Sequence, residues 1–150
     1  MENTVNKQRE YFLSGVTLPY AFRVRQLQTL AGAIKQNENL ISAALAEDLG
    51  KSAFESYATE ISMVNAEIKH TLKHLKGWMR AQKRPTPVTS FGAKSSIHYQ
   101  PLGVTLIMAP WNYPFQLTIT PLVAAMAARN CAILKPSRYS KQTAAVLAKI

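Results

Sequence analysis

The chain has 150 residues, 47% of them hydrophobic, which is enough for one domain with a core and too apolar for a disordered chain. The net charge of +10 is unevenly distributed. Residues 1–67 carry six Lys/Arg and eight Asp/Glu, whereas residues 68–150 carry twelve Lys/Arg and no acid. Acid–base chemistry in the second half would need carboxylates from other segments, so we expect the sequence to be part of a longer protein.

Several classes of protein are excluded by the same composition. No apolar run approaches the roughly 20 residues that span a bilayer, and the polar residues 1–10 do not resemble a signal peptide, so we expect a cytoplasmic protein without a membrane span. The single cysteine, Cys131, excludes an internal disulfide. His70 and His74 share a helix face with Glu67, but lysines lie on that face too, so we expect solvated histidines and no metal site.

Apolar residues at intervals of three and four predict helices through the first half of the chain. Two helices are expected over about residues 20–36 and 38–48, the second ending at Gly50. A third and longest helix is expected to begin at Ser52 and to end only at Pro85 and Pro87.

The second half has the pattern of a hairpin followed by a βαβ unit. Short β-like segments at 88–91 and 95–100, separated by Gly92 and Ala93, predict the hairpin. The βαβ unit and a last helix are predicted at 104–109, 115–128, 131–135 and 143–150. The expected fold is therefore α/β: N-terminal helices (1–87), a hairpin (88–100), and the start of a doubly wound, Rossmann-like parallel sheet (101–150), incomplete within this sequence.

Two turns follow the carboxyl ends of the predicted strands, where open α/β sheets bind their ligands. The first is Pro110-Trp-Asn-Tyr-Pro-Phe115 and the second is Lys135-Pro-Ser137. The Asn112 amide can donate two hydrogens without carrying a charge, which suits it to stabilise an oxyanion, or it can satisfy its own turn. Lys135 can bind ribose hydroxyls or phosphate, or simply be solvated. These residue types alone leave both alternatives open.

Together the two turns resemble the aldehyde dehydrogenase family, which pairs a Pro-Trp-Asn-Tyr/Phe-Pro motif with a Leu-Lys-Pro-Ser motif at this separation. Pro101-Leu-Gly-Val104 and the helix beginning at Arg23 are similar to the class-3 branch, which acts on fatty and aromatic aldehydes. The resemblance covers nearly the whole chain. It implies an oxidoreductase that uses NAD or NADP, an aldehyde substrate, and a homodimer to which the hairpin at 88–100 contributes as part of an oligomerisation arm.

The resemblance also implies roles for individual residues. Asn112 matches the amide that binds the oxyanion, and Lys135 matches the lysine that holds the adenosine ribose. The implied reaction is attack of a cysteine thiolate on the aldehyde, hydride transfer to the nicotinamide, and hydrolysis of the thioester. Family members supply the thiolate and the glutamate base from segments beyond those matched here, so we expect the 150 residues alone to be inactive. The remaining cofactor-binding residues implied are Met108, Ala109, Pro110, Trp111, Ser137 and Arg138.

Three residues need separate comment. Cys131 begins a predicted buried strand and is expected to be a structural thiol rather than the nucleophile. Arg129 stands where the family commonly has glycine in a left-handed conformation, which Asn130 would take over. Arg138 replaces a glutamate that accepts the ribose hydroxyls in many relatives, and an arginine there would favour the 2′-phosphate of NADP.

Two other classes of function remain as alternatives. A predicted basic helix is compatible with a nucleic-acid-binding module, since it carries Lys69, Lys73, Lys76, Arg80, Lys83 and Arg84. The chain has no recognised motif of that kind, and we expect no nucleic-acid partner. The chain would alternatively be an inactive remnant of an enzyme.

Overall fold

The computed structural model describes residues 2–150. Seven helices, four strands and two short helical turns of other types follow one another along these residues. They are α1 (Glu2–Leu13), α2 (Tyr20–Gln36), α3 (Glu38–Leu49), α4 (Ala53–Ser56), a π-helical segment (Tyr57–Ile61), α5 (Ser62–Trp78), β1 (Gln82–Arg84), a 3-10 turn (Val88–Ser90), β2 (Ser95–Ile97), β3 (Val104–Met108), α6 (Gln116–Ala127), β4 (Cys131–Lys135) and α7 (Lys141–Leu147).

The first half of the fold is helical, as the apolar spacing predicts. Helices α2 and α3 have almost the predicted bounds, and Gly50 ends α3 with a φ of 68° while its N–H donates to the Ala46 carbonyl. Helix α1 was not predicted, because residues 2–13 bury no side chain completely and so lack a strong apolar stripe.

The third predicted helix is divided and shorter than expected. It begins where predicted, with the Ser52 hydroxyl accepting from the Glu55 N–H, but residues 57–61 are π-helical. Helix α5 ends at Trp78 rather than at Pro85, so the predicted end is wrong. Gly77 weakens the last turn, and the following residues are used for strand pairing.

The hairpin is present, but its first strand is not the predicted one. Strand β1, Gln82–Arg84, pairs antiparallel with β2, whereas Val88–Ser90 forms a 3-10 turn inside the loop that joins them. The Thr86 hydroxyl closes this loop by donating to the Ser95 hydroxyl at 3.0 Å and accepting from the Ser95 N–H. The prolines before residue 88 lack the N–H that a strand needs, which favours the turn there.

The predicted βαβ unit is confirmed. Strands β3 and β4 are parallel, with Val104 opposite Cys131 and Met108 opposite Lys135, and α6 connects them. Helices α1 and α6 both pack against this sheet. The last helix, α7, begins slightly earlier than predicted and ends at Leu147.

One core joins the helical half to the βαβ unit. Its buried side chains come from α2, α3, the segment 57–61, α5 and α6: Leu27, Ile34, Ile41, Leu45, Ile61, Val64, Ile68, Leu75, Phe115, Ile119, Val123 and Ala127. Because Phe115 belongs to this core, the start of α6 is held against the π-helical segment. Within residues 2–150, no helix combines the length and apolar character that crossing a bilayer requires.

Candidate functional site

The two turns singled out by the sequence lie side by side. Met108 and Lys135 are register partners at the carboxyl ends of β3 and β4, and the Ala109 N–H donates to the Lys135 carbonyl at 3.2 Å. The candidate site residues therefore lie at this edge of the sheet. They are Met108, Ala109, Pro110, Trp111, Asn112, Lys135, Ser137 and Arg138.

The Asn112 side chain is exposed at this edge. Its backbone carbonyl accepts from the Lys51 ammonium at 3.4 Å, but its side-chain amide has no hydrogen-bond partner among residues 2–150. The alternative role for this amide was a hydrogen bond within its own turn, and the structure does not contain that bond. Both amide hydrogens remain available to an oxygen atom of a ligand.

A buried ion pair beneath the turn was missed by the sequence analysis. Glu60 is completely buried, and its Oε1 accepts from the Lys51 ammonium at 2.5 Å. Its Oε2 accepts from the backbone N–H groups of Phe115 at 2.8 Å and Gln116 at 3.1 Å, at the start of α6. The Lys51 ammonium also lies 4.1 Å from the centre of the Tyr113 ring. The pair thus contacts the turn on both sides of Pro114.

A second carboxylate from the helical half binds α7 in the same way. Asp48 accepts from the Gln142 N–H at 3.1 Å and from the Thr143 N–H at 2.8 Å. Neither α6 nor α7 receives a hydrogen bond from its own N-cap side chain. The absence of acids after Glu67, together with Phe115 rather than a capping residue just before α6, was the sequence signal for the Glu60 contact. There was no such signal for Asp48, because Ser140, a common N-cap residue, precedes α7. Carboxylates from the helical half therefore occupy N–H groups at the start of both helices.

The second turn presents two exposed cations. Lys135 is exposed at the end of β4, and the Arg138 guanidinium donates to the Tyr139 hydroxyl at 2.9 Å. Ser137 supports the turn itself, since its hydroxyl accepts from the Tyr139 N–H at 3.2 Å. A cleft of about 1060 Å³ near Arg23 and Trp78 contains none of the candidate site residues.

The turn between α6 and β4 differs from the expectation. Arg129 itself is left-handed, with a φ of 71°, so the prediction that Asn130 takes over this conformation is wrong. The Asn130 N–H donates to the Ala125 carbonyl and the Arg129 N–H to the Met126 carbonyl, which is the Schellman arrangement. The Asn130 side chain instead accepts from the Gly103 N–H at 2.9 Å.

Cys131, His70 and His74 lie outside the two turns. Cys131 is buried at the start of β4, and burial raises the pKa of its thiol. His70 is exposed, and both it and His74 lie near Trp78, with His74 stacked on the indole ring. In the part of the chain that the structure describes, no three His, Cys, Asp or Glu side chains form a group suited to a metal ion.

A parallel βαβ unit packed against a helical half defines an α/β protein. Comparison with known proteins gives the family. The family model for the aldehyde dehydrogenase family matches residues 1–150, and the chain therefore belongs to the aldehyde dehydrogenase family.

Individual relatives agree with this assignment. The chain is 42% identical to human aldehyde dehydrogenase family 3 member B1 over 99% of its own length, and 44% identical to family 3 member A2 of Pongo abelii over 100%. A solved structure of Staphylococcus aureus AldH in a substrate-bound state is similar with a TM-score of 0.95 and 41% identity, covering 99% of this chain. The chain spans only about a third of these relatives: 32%, 31% and 33% of their lengths.

Proposed function

We propose that this chain is the N-terminal portion of an NAD(P)-dependent aldehyde dehydrogenase that oxidises aldehydes to carboxylic acids through a cysteine thiohemiacetal. The register pairing of Met108 with Lys135 carries the proposal, because it brings the Asn112 turn and the Lys135 turn to one edge of the sheet. One turn then serves the reacting aldehyde and the other serves the cofactor. The thiolate and the base come from residues outside these 150.

In this proposal Asn112 donates a hydrogen bond to the oxygen that becomes negatively charged when the thiolate attacks the aldehyde. Its exposed amide, without another partner among residues 2–150, supports that role. An amide is suited to the task because its hydrogen bond to an oxyanion is stronger than its hydrogen bond to the uncharged aldehyde oxygen. Met108, Ala109, Pro110 and Trp111 line the approach of the nicotinamide beside it.

The cofactor is NAD or NADP, held at its adenosine end by the second turn. Lys135 donates to the ribose hydroxyls, and Ser137 keeps the turn in shape through its bond to the Tyr139 N–H. Arg138 is exposed and bound only to its neighbour Tyr139 in this region, so it is available to a 2′-phosphate. We propose that the enzyme accepts or prefers NADP for this reason.

Assembly and location form the last part of the proposal. We propose a cytoplasmic homodimer in which the hairpin of β1 and β2 belongs to the arm between subunits, and in which no nucleic acid takes part. The loop of this hairpin supports an interface, because it carries Val88 and Phe91 at 91% and 98% exposure.

The test uses the full-length protein, by which we mean the complete polypeptide that carries residues 1–150. It is incubated with a medium-chain fatty aldehyde or benzaldehyde and with NAD or NADP, and the reduced nicotinamide is followed by absorbance. We expect aldehyde-dependent reduction, with Lys135→Met raising the KM for cofactor about 10-fold or more and leaving the KM for aldehyde unchanged. Lys149→Met, an exposed lysine near the end of the chain, is the control. A full-length protein that reduces neither cofactor contradicts the proposal.

A further inference from the structure

The turn that carries Asn112 is held by two residues that are distant from it in sequence, Lys51 and Glu60. Glu60 binds the two N–H groups that follow the turn, those of Phe115 and Gln116, through one carboxylate oxygen. The other oxygen binds Lys51, whose ammonium reaches back to the Asn112 carbonyl at 3.4 Å. The pair thus contacts the backbone from the Asn112 carbonyl to the start of α6, while Asn112 itself is exposed.

Stability alone is a poor explanation for this pair. Removing two charges from water costs more than most ion pairs return, and apolar side chains of similar volume often stabilise a fold equally well. Helix α6 would also be capped more simply by a serine or aspartate just before it, yet Phe115 occupies the N-cap. The chain instead uses a buried charge from another element, and this charge also binds Lys51, whose ammonium contacts the Asn112 carbonyl.

The backbone that carries Glu60 is itself unusual. Glu60 lies in the π-helical segment Tyr57–Ile61, between α4 and α5. A π-helical segment contains an extra residue relative to an α-helix, and such segments are frequent at functional sites. Here it rotates a carboxylate into the core, where the carboxylate is fully buried and meets the start of α6.

We propose that Lys51 and Glu60 are positioning residues for the oxyanion-binding amide of Asn112. This inference rests on the proposed function, because it assigns to the pair the orientation of a group that acts in that reaction. The pair holds the Asn112 carbonyl and the N–H groups after Pro114, so the backbone from which the amide projects is in place before an aldehyde binds. Neither side chain touches the substrate in this proposal.

Glu60→Gln tests the proposal in the full-length protein. Glutamine has the same shape, but its single oxygen serves either Lys51 or the α6 N–H groups, so the turn is no longer held at both ends. We expect kcat, measured per folded enzyme, to fall on the order of 100-fold, because small misplacement of a catalytic group has effects of that size. The KM for cofactor should change by less than about twofold, since Lys135 is untouched.

A double-mutant cycle with Asn112→Ala separates positioning from general stability. If Glu60 acts through Asn112, Glu60→Gln lowers kcat no further once the amide has been removed. Equal fold-losses of kcat in the presence and absence of the amide would overturn the inference but leave the proposed function intact. An Asn112→Ala variant with unchanged kcat would overturn both.

Asp48→Asn is the matched control. Asp48 binds the start of α7 as Glu60 binds the start of α6, but it makes no contact with the Asn112 turn. We expect this variant to lose stability and to keep kcat within about twofold of wild type. If Glu60→Gln does not fold, Lys51→Arg replaces it in the cycle. It keeps the charge but changes the geometry toward Asn112, and we expect about a 10-fold loss of kcat that disappears in the Asn112→Ala background. A kcat unchanged in Lys51→Arg would contradict the inference.

Discussion

The carboxylate of Asp48 binds both the backbone N–H and the hydroxyl of Thr143, each at 2.8 Å, across 95 positions of sequence. It joins α3 to the first turn of α7 and so fixes the helix that follows the Lys135 turn. A carboxylate of the helical half therefore binds specific backbone and side-chain groups of the half that has no acids.

Replacing Asp48 should weaken the fold measurably. Asp48→Asn keeps one oxygen for Thr143 but loses the charge that favours a helix N-terminus, so we expect the free energy of unfolding to fall by about 1–2 kcal/mol. Urea denaturation of the full-length protein, followed by circular dichroism, measures this change. Glu10→Gln, at an exposed position of α1 away from its first turn, serves as control and should stay within about 0.5 kcal/mol. Equal stability of both variants would contradict a capping role.

Glycine substitutions at Arg129 and at its neighbour Ala128 should change the free energy of unfolding in opposite directions. Arg129→Gly should raise the free energy of unfolding by about 0.5–1 kcal/mol, because glycine adopts the left-handed conformation without strain. It also relieves Arg23, whose guanidinium pKa is lowered by burial and, to a smaller extent, by the charge of Arg129. Ala128→Gly should instead lower stability by about 0.5–1 kcal/mol, since Ala128 is right-handed with a φ of −79°. Thermal unfolding of the two variants should therefore shift in opposite directions, and a shared direction would disprove the strain.

Cys131 should couple stability to alkaline pH. Burial raises the pKa of its thiol in the folded state, so the folded protein keeps the proton that the unfolded chain loses above its ordinary pKa of about 8.5. The stabilisation is complete below that pH and declines as the pH rises from there toward the raised folded-state pKa. Denaturation of wild type and Cys131→Ala across this window measures the effect. A difference in stability between them that does not shrink with rising pH would contradict it.

The cofactor preference can be tested at Arg138. Arg138→Glu should lower kcat/KM for NADP by about 10-fold or more, because a carboxylate repels a 2′-phosphate that an arginine binds, while kcat/KM for NAD is kept or improved. Lys149→Glu carries the same change of charge at another exposed position and should alter neither value by more than about twofold. Steady-state kinetics with both cofactors give the answer. A preference for NAD that is the same in wild type and Arg138→Glu would exclude a role for this arginine.

The sequence predicted the elements whose signal is local. The apolar spacing gave α2 and α3, and the uninterrupted apolar strands gave the parallel βαβ unit and hence the position of Asn112 beside Lys135. The first strand of the hairpin was predicted at the wrong residues. Strand β1 is fully exposed and polar, so it lacks the alternation of apolar and polar residues that marks a strand.

The contacts that hold the Asn112 turn, and the conformation of Arg129, could not be predicted from the sequence. The contact between Glu60 and Phe115 joins residues 55 positions apart, and it depends on a π-helical segment that has no recognised sequence signal. The conformation of Arg129 also contradicts its residue type, because the surrounding Schellman hydrogen bonds and the Asn130 contact with Gly103 impose it. Both features depend on tertiary contacts, which the local sequence pattern does not show.

The central claim, that the Asn112 amide stabilises the charge formed on the aldehyde oxygen, is tested most directly by the first turnover of the full-length protein. Enzyme saturated with cofactor is mixed rapidly with aldehyde, and the formation of reduced nicotinamide is recorded for wild type, Asn112→Ala and the control Asn39→Ala, an exposed asparagine of α3. We predict a first-turnover rate on the order of 100- to 1000-fold lower in Asn112→Ala, with cofactor affinity unchanged and the control equal to wild type. A first-turnover rate in Asn112→Ala equal to that of wild type would contradict the claim.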